Sequence, residues 1–293
     1  CRKQSLLLQI DLTRPLVHQG PFDVIVHKLS DVIVEAEQDS QSQQLLANFQ
    51  VRSYVSAHPA TVLLDPLPAM TRLLDRFASY RIMSELRESL RGECDRIPTN
   101  TFSFLFFPPH AVCKTRVAHG SLSHEMSLIF SGGGLEDIRP PCVLQSFVNH
   151  GAVLHKVFVV GDRHFCVERP SLKNFPSGAC DRKTIFFNSH EVSKPESNSD
   201  LTAVSNHTAS RAPPSSEAVA ALVGELRVQL GMALFGVDLI ISIHTHTLTV
   251  IDINIFPGYE GVPQFFSSLL SHIESVLDQR QAGGGPSAAT TGL

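Results

Sequence analysis

The chain has 293 residues, of which 43% are hydrophobic and 18% are charged, and its formal net charge is −4. This length and composition predict a globular protein with two or three compact subdomains. The negative charge argues against general nucleic-acid binding, which needs a basic surface. The sequence contains no run of about eighteen apolar residues, so we expect no membrane-spanning helix.

The six cysteines form no C-x-x-C pair and are scattered through apolar segments. We therefore expect reduced thiols in a cytoplasmic protein, and neither disulfides nor a zinc site. The opening residues, CRKQSLLLQIDLTRP, lack a methionine and also the long apolar region of a signal peptide. They suggest a chain that has been cut short and not one that was processed by a signal peptidase.

The first ninety residues alternate between strand and helix patterns. Apolar, β-branched runs predict strands at LLLQI (6–10), DVIVHK (23–28) and TVLLD (61–65). Helical spacing predicts one helix from about residue 35 to 57 and another over 69–86. Such alternation is typical of a small parallel sheet.

From residue 111 the pattern changes to short strands of β-branched and aromatic residues, with one brief helix near 133–138. Residues 98–110 are rich in phenylalanine and fit no element clearly, whereas the polar stretch 176–215 predicts a long loop or lid. A helix over 216–231 and a final hairpin follow. The predicted strands are AVCKTR, MSLIF, CVLQSF, VLHKVFVV, RHFCVERP and the two of the final hairpin, which turns around 244–247.

The stretch VIDINIFPGYEGV, residues 250–262, places two polar side chains inside an apolar run. Because side chains alternate along a strand, Val250, Asp252 and Asn254 are predicted to share one face, and the three intervening isoleucines the other. Carboxylate and amide oxygens side by side suit a hard cation such as Mg²⁺. Asp-x-Asn alone, however, fits a solvent-facing edge strand better than a metal site.

The preceding strand favours the metal site over the edge strand. In an antiparallel pair that turns near Thr245, Asp238 lies opposite Asp252 on the same face. Two carboxylates held this close in a half-buried site repel each other unless a cation neutralises them. The pattern therefore predicts a metal site formed by Asp238, Asp252 and Asn254.

Positive charge is supplied by the strands upstream of this site. Lys114 follows an apolar strand start, and Lys156 lies in a strand that otherwise reads as buried, where an ammonium group needs an anionic partner. A metal cluster facing basic side chains in a β-rich cleft is the arrangement that phosphoryl transfer requires.

Several motifs occur along the chain: HKLSD, LDPLPAM, CKTRVAHG followed by LSHEM, PPCVLQSFVNH, KVFVVGD, RPSLKNF, FFNSHEVSKPES and FGVDLII with VIDINIFPGYEGV. Together they resemble one family, the inositol-tetrakisphosphate 1-kinase (inositol 1,3,4-trisphosphate 5/6-kinase) family. The resemblance runs from about Leu6 to Leu277, and it implies the ATP-grasp fold, which uses no P-loop. In that α/β (α+β) fold, an N-terminal parallel-sheet subdomain and two β-rich subdomains enclose an ATP cleft.

The resemblance implies an activity and a division of the chain. The activity is ATP- and Mg²⁺-dependent transfer of the γ-phosphate to hydroxyls of soluble inositol tris- or tetrakisphosphates, with two Mg²⁺ ions. The implied enzyme is a cytoplasmic monomer with no nucleic-acid or membrane partner. The implied parts are 1–86, which binds inositol phosphate; 87–148, the central ATP-grasp subdomain; 149–280, the C-terminal subdomain with metal site and lid; and 281–293, a flexible tail.

Roles of single residues are implied by the same resemblance. Lys156 and His119 are the implied catalytic residues, and Asp238, Asp252 and Asn254 match the magnesium ligands. Contacts to the inositol phosphate are implied for His124, Lys156, Asn254 and Gly258. The implied ATP-binding residues are Arg76, Lys114, Gln145, Ser146, Phe147, Val148, Lys156, Ser171, Ser189 and Ser193.

Two departures from the family pattern leave alternatives open. The sequence lacks the family's opening strand with its substrate-binding lysine, and its segment 87–113 is shorter than the family's and unlike it. A catalytically impaired chain that binds nucleotide or inositol phosphate without turnover is therefore one alternative. An ATP-grasp ligase that makes an acyl phosphate from a carboxylate is another.

Overall fold

A computed structural model describes residues 6–90, 110–120, 122–176, 178, 181–202 and 213–283 of the chain. The strands in these ranges form three sheets, one of two parallel strands and two of four antiparallel strands. The predicted Phe-rich segment 98–110 lies, except for His110, outside the described residues.

The N-terminal part is built around two parallel strands, β1 (Val24–Val26) and β2 (Val62–Leu64), which confirms two of the three strands predicted there. The predicted strand at 6–10 is wrong, because these residues have no regular structure and Leu7 is 95% exposed. No described strand pairs with them, and an apolar run without a ladder partner does not become a strand. The elements are a 3₁₀ helix (Leu16–His18), β1 (Val24–Val26), α1 (Ser30–Glu35), α2 (Ser40–Phe49), α3 (Val51–Ala57), β2 (Val62–Leu64), α4 (Leu67–Thr71) and α5 (Arg76–Ser89).

Both long helices predicted in this part are interrupted by capping residues. Asp39 accepts a hydrogen bond from the Ser42 N–H at 2.7 Å and so starts α2 afresh. Gln50, with a left-handed φ of 35°, separates α2 from α3. Asp75 caps α5 by accepting from the Phe77 N–H at 2.8 Å. Helical periodicity continues through these caps in sequence, which explains why one helix was predicted in each place.

The middle sheet consists, in this order, of β5 (Cys142–Ser146), β3 (Ala111–Thr115), β4 (Glu125–Ile129) and β8 (Ile185–Asn188). Part of the predicted lid is structured here, since the IFFN segment pairs with β4 and the Asn188 side chain caps a short helix by accepting from two N–H groups. The elements are β3 (Ala111–Thr115), β4 (Glu125–Ile129), a 3₁₀ helix (Gly132–Asp137), β5 (Cys142–Ser146), β8 (Ile185–Asn188) and α6 (Ser189–Ser193).

The C-terminal sheet consists, in this order, of β10 (Leu248–Ile255), β9 (Leu234–Ile241), β6 (Val153–Val160) and β7 (Arg163–Pro170), and it carries the predicted hairpin. Helix α7 begins at the Ser215 cap and ends at Gly231, whose φ of 64° favours glycine. Leu222 and Leu226 of α7 are fully buried in one core cluster with Leu86 of α5, so the N-terminal part packs on this sheet. The elements are β6 (Val153–Val160), β7 (Arg163–Pro170), α7 (Ser216–Leu230), β9 (Leu234–Ile241), β10 (Leu248–Ile255) and α8 (Phe265–Gly283).

A bulge in β10 changes the predicted face of one residue. The pairing with β9 shifts between Val250 and Asp252. As a result Val250 joins Ile253 in the hydrophobic core, while Ile251 lies with Asp252 on the opposite side. The prediction that Val250 shares a face with Asp252 is therefore wrong, because an extra residue in a strand breaks strict alternation. The predicted pairing of Asp238 with Asp252 is confirmed.

None of the helices in the described ranges is long and apolar enough to cross a membrane. The described cysteines Cys113, Cys142 and Cys166 are free thiols.

Candidate functional site

A cavity lies between the two four-stranded sheets and draws residues from β3, β5, β6, β9 and β10. Every predicted site residue except His119 and Gly258 lines this cavity. The lining residues that were predicted are Arg76, Lys114, His124, Gln145, Ser146, Phe147, Val148, Lys156, Ser171, Ser189, Ser193, Asp238, Asp252 and Asn254.

Three charged residues form a row across the C-terminal sheet. Lys156 on β6 pairs in register with Asp238 on β9, and Asp238 pairs with Asp252 on β10. The Lys156 ammonium donates to both carboxylate oxygens of Asp238 at 3.0 Å. The strand register therefore fixes these charges side by side, so that the geometry of the row is set by backbone hydrogen bonds.

The middle sheet contributes Lys114, which reaches across the cavity to this row. Its ammonium donates to Asp252 Oδ2 at 3.2 Å and to the carbonyl oxygen of Ile251 at 2.9 Å. Gln145 donates to the same carbonyl at 3.1 Å. The bulged residue of β10, Ile251, therefore accepts hydrogen bonds through its carbonyl oxygen from two side chains of the facing sheet.

The Lys114–Asp252 ion pair lies in a largely buried setting, with side chains 6% and 16% exposed. Burial alone would raise the pKa of Asp252, but the nearby charges of Lys114 and Arg76 outweigh it and lower the pKa. Burial lowers the pKa of Lys114 despite the attraction of Asp252. A buried pair of this kind costs desolvation energy, so it is weak evidence for stability and stronger evidence for a charged site.

Arg76, the first residue of α5, is 4% exposed and lines the same cavity. Its guanidinium donates to the carbonyl oxygens of Thr115 at 2.7 Å, Val117 at 3.0 Å and Ser123 at 3.0 Å. These acceptors are neutral, so in the described part of the chain no directly bonded carboxylate compensates its charge. Such a cation is suited to an anionic ligand.

His124 and the short helix α6 line the cavity from the middle sheet. His124 Nδ1 lies 3.3 Å from the Ser189 hydroxyl. Burial, followed by the charges of His190 and Arg76, lowers the pKa of His124. We therefore expect a neutral imidazole at neutral pH, which can donate one hydrogen bond and accept another.

Family models match most of the chain. An inositol 1,3,4-trisphosphate 5/6-kinase ATP-grasp domain matches residues 97–275, and the pre-ATP-grasp domain of the same kinases matches residues 1–70. This chain belongs to the inositol 1,3,4-trisphosphate 5/6-kinase family. The predicted family, the ATP-grasp fold and the assignment as an inositol phosphate kinase are thereby confirmed.

Named relatives agree with the family models. An inositol-tetrakisphosphate 1-kinase from Danio rerio is 50% identical over 97% of this chain and 75% of its own length. One from Xenopus laevis is 50% identical over 95% of this chain and 74% of its own length. Among solved structures, a D-alanine–D-alanine ligase from Bacillus anthracis matches with 13% identity and a TM-score of 0.49, over 92% of this chain and 84% of that one.

His119 and Gly258, the two predicted site residues outside the cavity lining, have different surroundings in this kinase. His119 Nδ1 lies 3.5 Å from Asp31 of α1, whose carboxylate also accepts from the Gly120 N–H at 3.1 Å. The hydrogen bond from His119 is the largest cause that lowers the pKa of Asp31 to about 2. Gly258 precedes Tyr259, whose hydroxyl donates to the Val159 carbonyl. His119 therefore ties a loop to the N-terminal part, and Gly258 lies in a turn after β10.

The predicted metal ligands fit a hard cation. Asp238 and Asp252 offer carboxylate oxygens and Asn254 offers an amide oxygen to one cavity, which suits Mg²⁺. The described residues contain no group of three His, Cys, Asp or Glu side chains arranged for a metal, and the predicted set has an amide as its third member. Both carboxylates are bonded to lysines, so a bound cation would share them with Lys114 and Lys156.

Four polar residues line the cavity that were not predicted as site residues: His150, His190, Lys194 and Glu260. His190 and Lys194 lie beside the predicted Ser189 and Ser193, so the FFNSHEVSKPES motif could have indicated them. His150 follows β5 in FVNHG, a context in which a histidine is no more notable than any loop residue. Its position became clear only from its contacts.

Proposed function

We propose that this kinase transfers the γ-phosphate of ATP to a hydroxyl of a soluble inositol tris- or tetrakisphosphate, with Mg²⁺ as cofactor. The observation that carries the proposal is the in-register row of Lys156, Asp238 and Asp252, faced by Lys114 from the other sheet. Phosphoryl transfer needs fixed cations that spread the charge of the transferring group, and little covalent chemistry from the protein.

The cations of the cavity divide into two groups by their partners. Arg76 has neutral acceptors and Lys114 is buried against Asp252, so we assign both to the nucleotide phosphates. Lys156 is more accessible, with its side chain 25% exposed, and we assign it to the space between the ATP phosphates and the inositol phosphate. Asp238, Asp252 and Asn254 would hold Mg²⁺, which supplies further charge neutralisation on the phosphates when it is bound.

The remaining residues bind and enclose the two substrates. We assign Gln145, Ser146, Phe147 and Val148 to the nucleoside, and Ser171, Ser189 and Ser193 to further contacts with ATP from the side of the lid. His124 and Gly258 are assigned to the inositol phosphate, together with Asn254, and His119 to the same side through the loop that it anchors. The division at residues 86 and 148, two Mg²⁺ ions, the monomeric state and the cytoplasmic location belong to the same proposal.

The direct test is transfer of labelled phosphate from ATP to a panel of inositol phosphates, with carboxylate acceptors in parallel. We expect Mg²⁺-dependent labelling of an inositol tris- or tetrakisphosphate as a phosphate ester. Nucleotide binding without any product would instead support the non-catalytic alternative. Labelling of a carboxylate acceptor, and not of inositol phosphates, would support a ligase.

A further inference from the structure

A buried histidine beside the cavity fixes the direction of a short hydrogen-bond chain. His150 and Ser171 both line the cavity and are only 5% and 8% exposed. His150 Nδ1 lies 2.7 Å from the carbonyl oxygen of Val148, and its Nε2 lies 2.7 Å from the Ser171 hydroxyl. The imidazole therefore connects the segment after β5 with the segment after β7.

The chemistry of the three groups determines which atom donates in each of the two hydrogen bonds. A carbonyl oxygen can only accept, so His150 Nδ1 must carry the proton. In a neutral imidazole Nε2 then has only a lone pair, and it accepts from the Ser171 O–H. Because serine has a single O–H, Ser171 retains only lone pairs for any further contact. As long as the His150 imidazole is neutral, Ser171 can therefore accept a hydrogen bond in the cavity and cannot donate one.

The strand register separates this acceptor from the charged row. The Ser171 N–H donates to the Ala152 carbonyl at 3.0 Å, and Ala152 lies four residues before Lys156. Ser171 thus lies at the start of β6, and at about 3.3 Å per residue the backbone of Lys156 is roughly 10 Å further along the strand, three residues after Val153. The neighbouring wall is apolar, with Leu172 and Phe147, as a flat base requires.

We propose that Ser171 accepts a hydrogen bond from the nucleoside part of the nucleotide, and that His150 is the positioning residue that enforces this direction. The donor is an exocyclic amino group of the base or a ribose hydroxyl. Phosphate oxygens are acceptors and are excluded from this contact. The inference rests on the proposed function, since it takes ATP as the ligand of the cavity.

The test measures the affinity of four nucleotides by calorimetry: ATP, inosine triphosphate, which lacks the exocyclic amino group, and the 2′-deoxy and 3′-deoxy forms of ATP. We expect the wild-type protein to bind one of the three analogues about tenfold more weakly than ATP, as the loss of one buried hydrogen bond predicts. Ser171→Ala should bind that analogue and ATP with equal affinity.

His150 variants separate positioning from packing. His150→Phe keeps the ring but removes both nitrogens, and we expect it to lose the same discrimination. In His150→Gln the amide oxygen can still accept from Ser171, so most of the discrimination should return. Thermal unfolding checks that each variant is folded. If His150→Phe does not fold, Ser171→Ala alone tests the inference.

Two results would overturn the inference. Ser171→Ala could weaken all four nucleotides by one common factor, or it could leave the wild-type preference unchanged. In either case Ser171 would not accept a bond from the nucleoside. If the wild-type protein bound none of the nucleotides, the proposed function would fail first, and this result is distinct from the other two.

Discussion

Two largely buried aspartates in this kinase show how the same type of side chain can have different roles. Asp252 lies in the cavity, where the charges of Lys114 and Arg76 lower its pKa. Asp65 follows β2, is 5% exposed, and accepts from the backbone N–H groups of Ala233 and Leu234, each at 2.8 Å. Burial raises the pKa of Asp65 to about 6, because these two amides only partly offset the loss of water.

The difference between them lies in the partners, which are cations in one region and backbone amides in the other. Asp65 connects the N-terminal part to the start of β9 and needs no charge to do so. Asp252 is kept ionised next to two cations in a cavity, which is costly for folding and useful for chemistry. We therefore expect changes at Asp252 to affect transfer first, and changes at Asp65 to affect stability and its pH dependence.

The largest effect is expected from Asp252→Asn. Removal of the charge should lower phosphate transfer by roughly a thousandfold or more, as the loss of a group that organises charge in an active site predicts. It also leaves Lys114 buried without an anion, which should reduce the free energy of unfolding by about 3 kcal/mol.

A matched double variant separates these two effects. Asp252→Asn combined with Lys114→Met removes both charges, and denaturant unfolding should show most of the lost stability restored. An additive loss of stability in the double variant would mean that the two residues do not form the pair described here.

Lys156→Met should lower kcat about a hundredfold, because its ammonium is proposed to stabilise the transferring phosphate. This loss corresponds to a rise of roughly 3 kcal/mol in the activation free energy. Because Lys156 is partly exposed, its loss should destabilise the fold less than loss of Lys114 does. Steady-state kinetics and unfolding of the two Lys→Met variants provide the comparison. A raised KM with unchanged kcat would make Lys156 a binding residue only.

Asp65 should produce a pH-dependent stability that Asp65→Asn lacks. Its folded pKa, about 6, exceeds the ordinary value of 3.8. The contribution of Asp65 to the free energy of unfolding is therefore fully present below pH 4 and is lost as the pH rises through 6. We expect the wild-type protein to lose up to about 3 kcal/mol of unfolding free energy, relative to Asp65→Asn, between pH 4 and pH 7. Parallel curves for the two proteins would contradict the assignment.

The smallest effect is expected from Asp31→Asn, which weakens the contact with His119 and the Gly120 N–H. The Asp31 side chain is about half exposed, so we expect little change in stability at neutral pH. If the loop positions the inositol phosphate, its KM should rise a few-fold while the affinity for ATP stays constant. Equal changes for both substrates would indicate a general loosening of the fold.

The sequence predicted that Asp238 pairs with Asp252, and the structure confirms it, although the pairing of Leu248 with Ile241 near the turn would by itself place Asp252 opposite Val237. The bulge at Ile251 is what brings Asp252 opposite Asp238. Local backbone features that the apolar pattern does not contain limited the other predictions. The bulge at Ile251 moves Val250 to the core, and alternation alone does not contain it. The N-caps at Asp39 and Asp75 start new helices in stretches where the periodicity predicts one continuous helix. Long-range contacts such as Lys114 with Asp252 and His150 with Ser171 join distant segments, and no local pattern predicts them.

Binding of ATP with and without Mg²⁺, measured by calorimetry on the wild-type protein and Asp252→Asn, tests the central claim most directly. If Asp252 holds the cation, Mg²⁺ should strengthen ATP binding about tenfold or more in the wild-type protein and have little effect in the variant. Phosphate transfer should be lost in parallel. An equal effect of Mg²⁺ on both proteins, together with unchanged transfer by the variant, would show that the buried Asp252 is a structural residue.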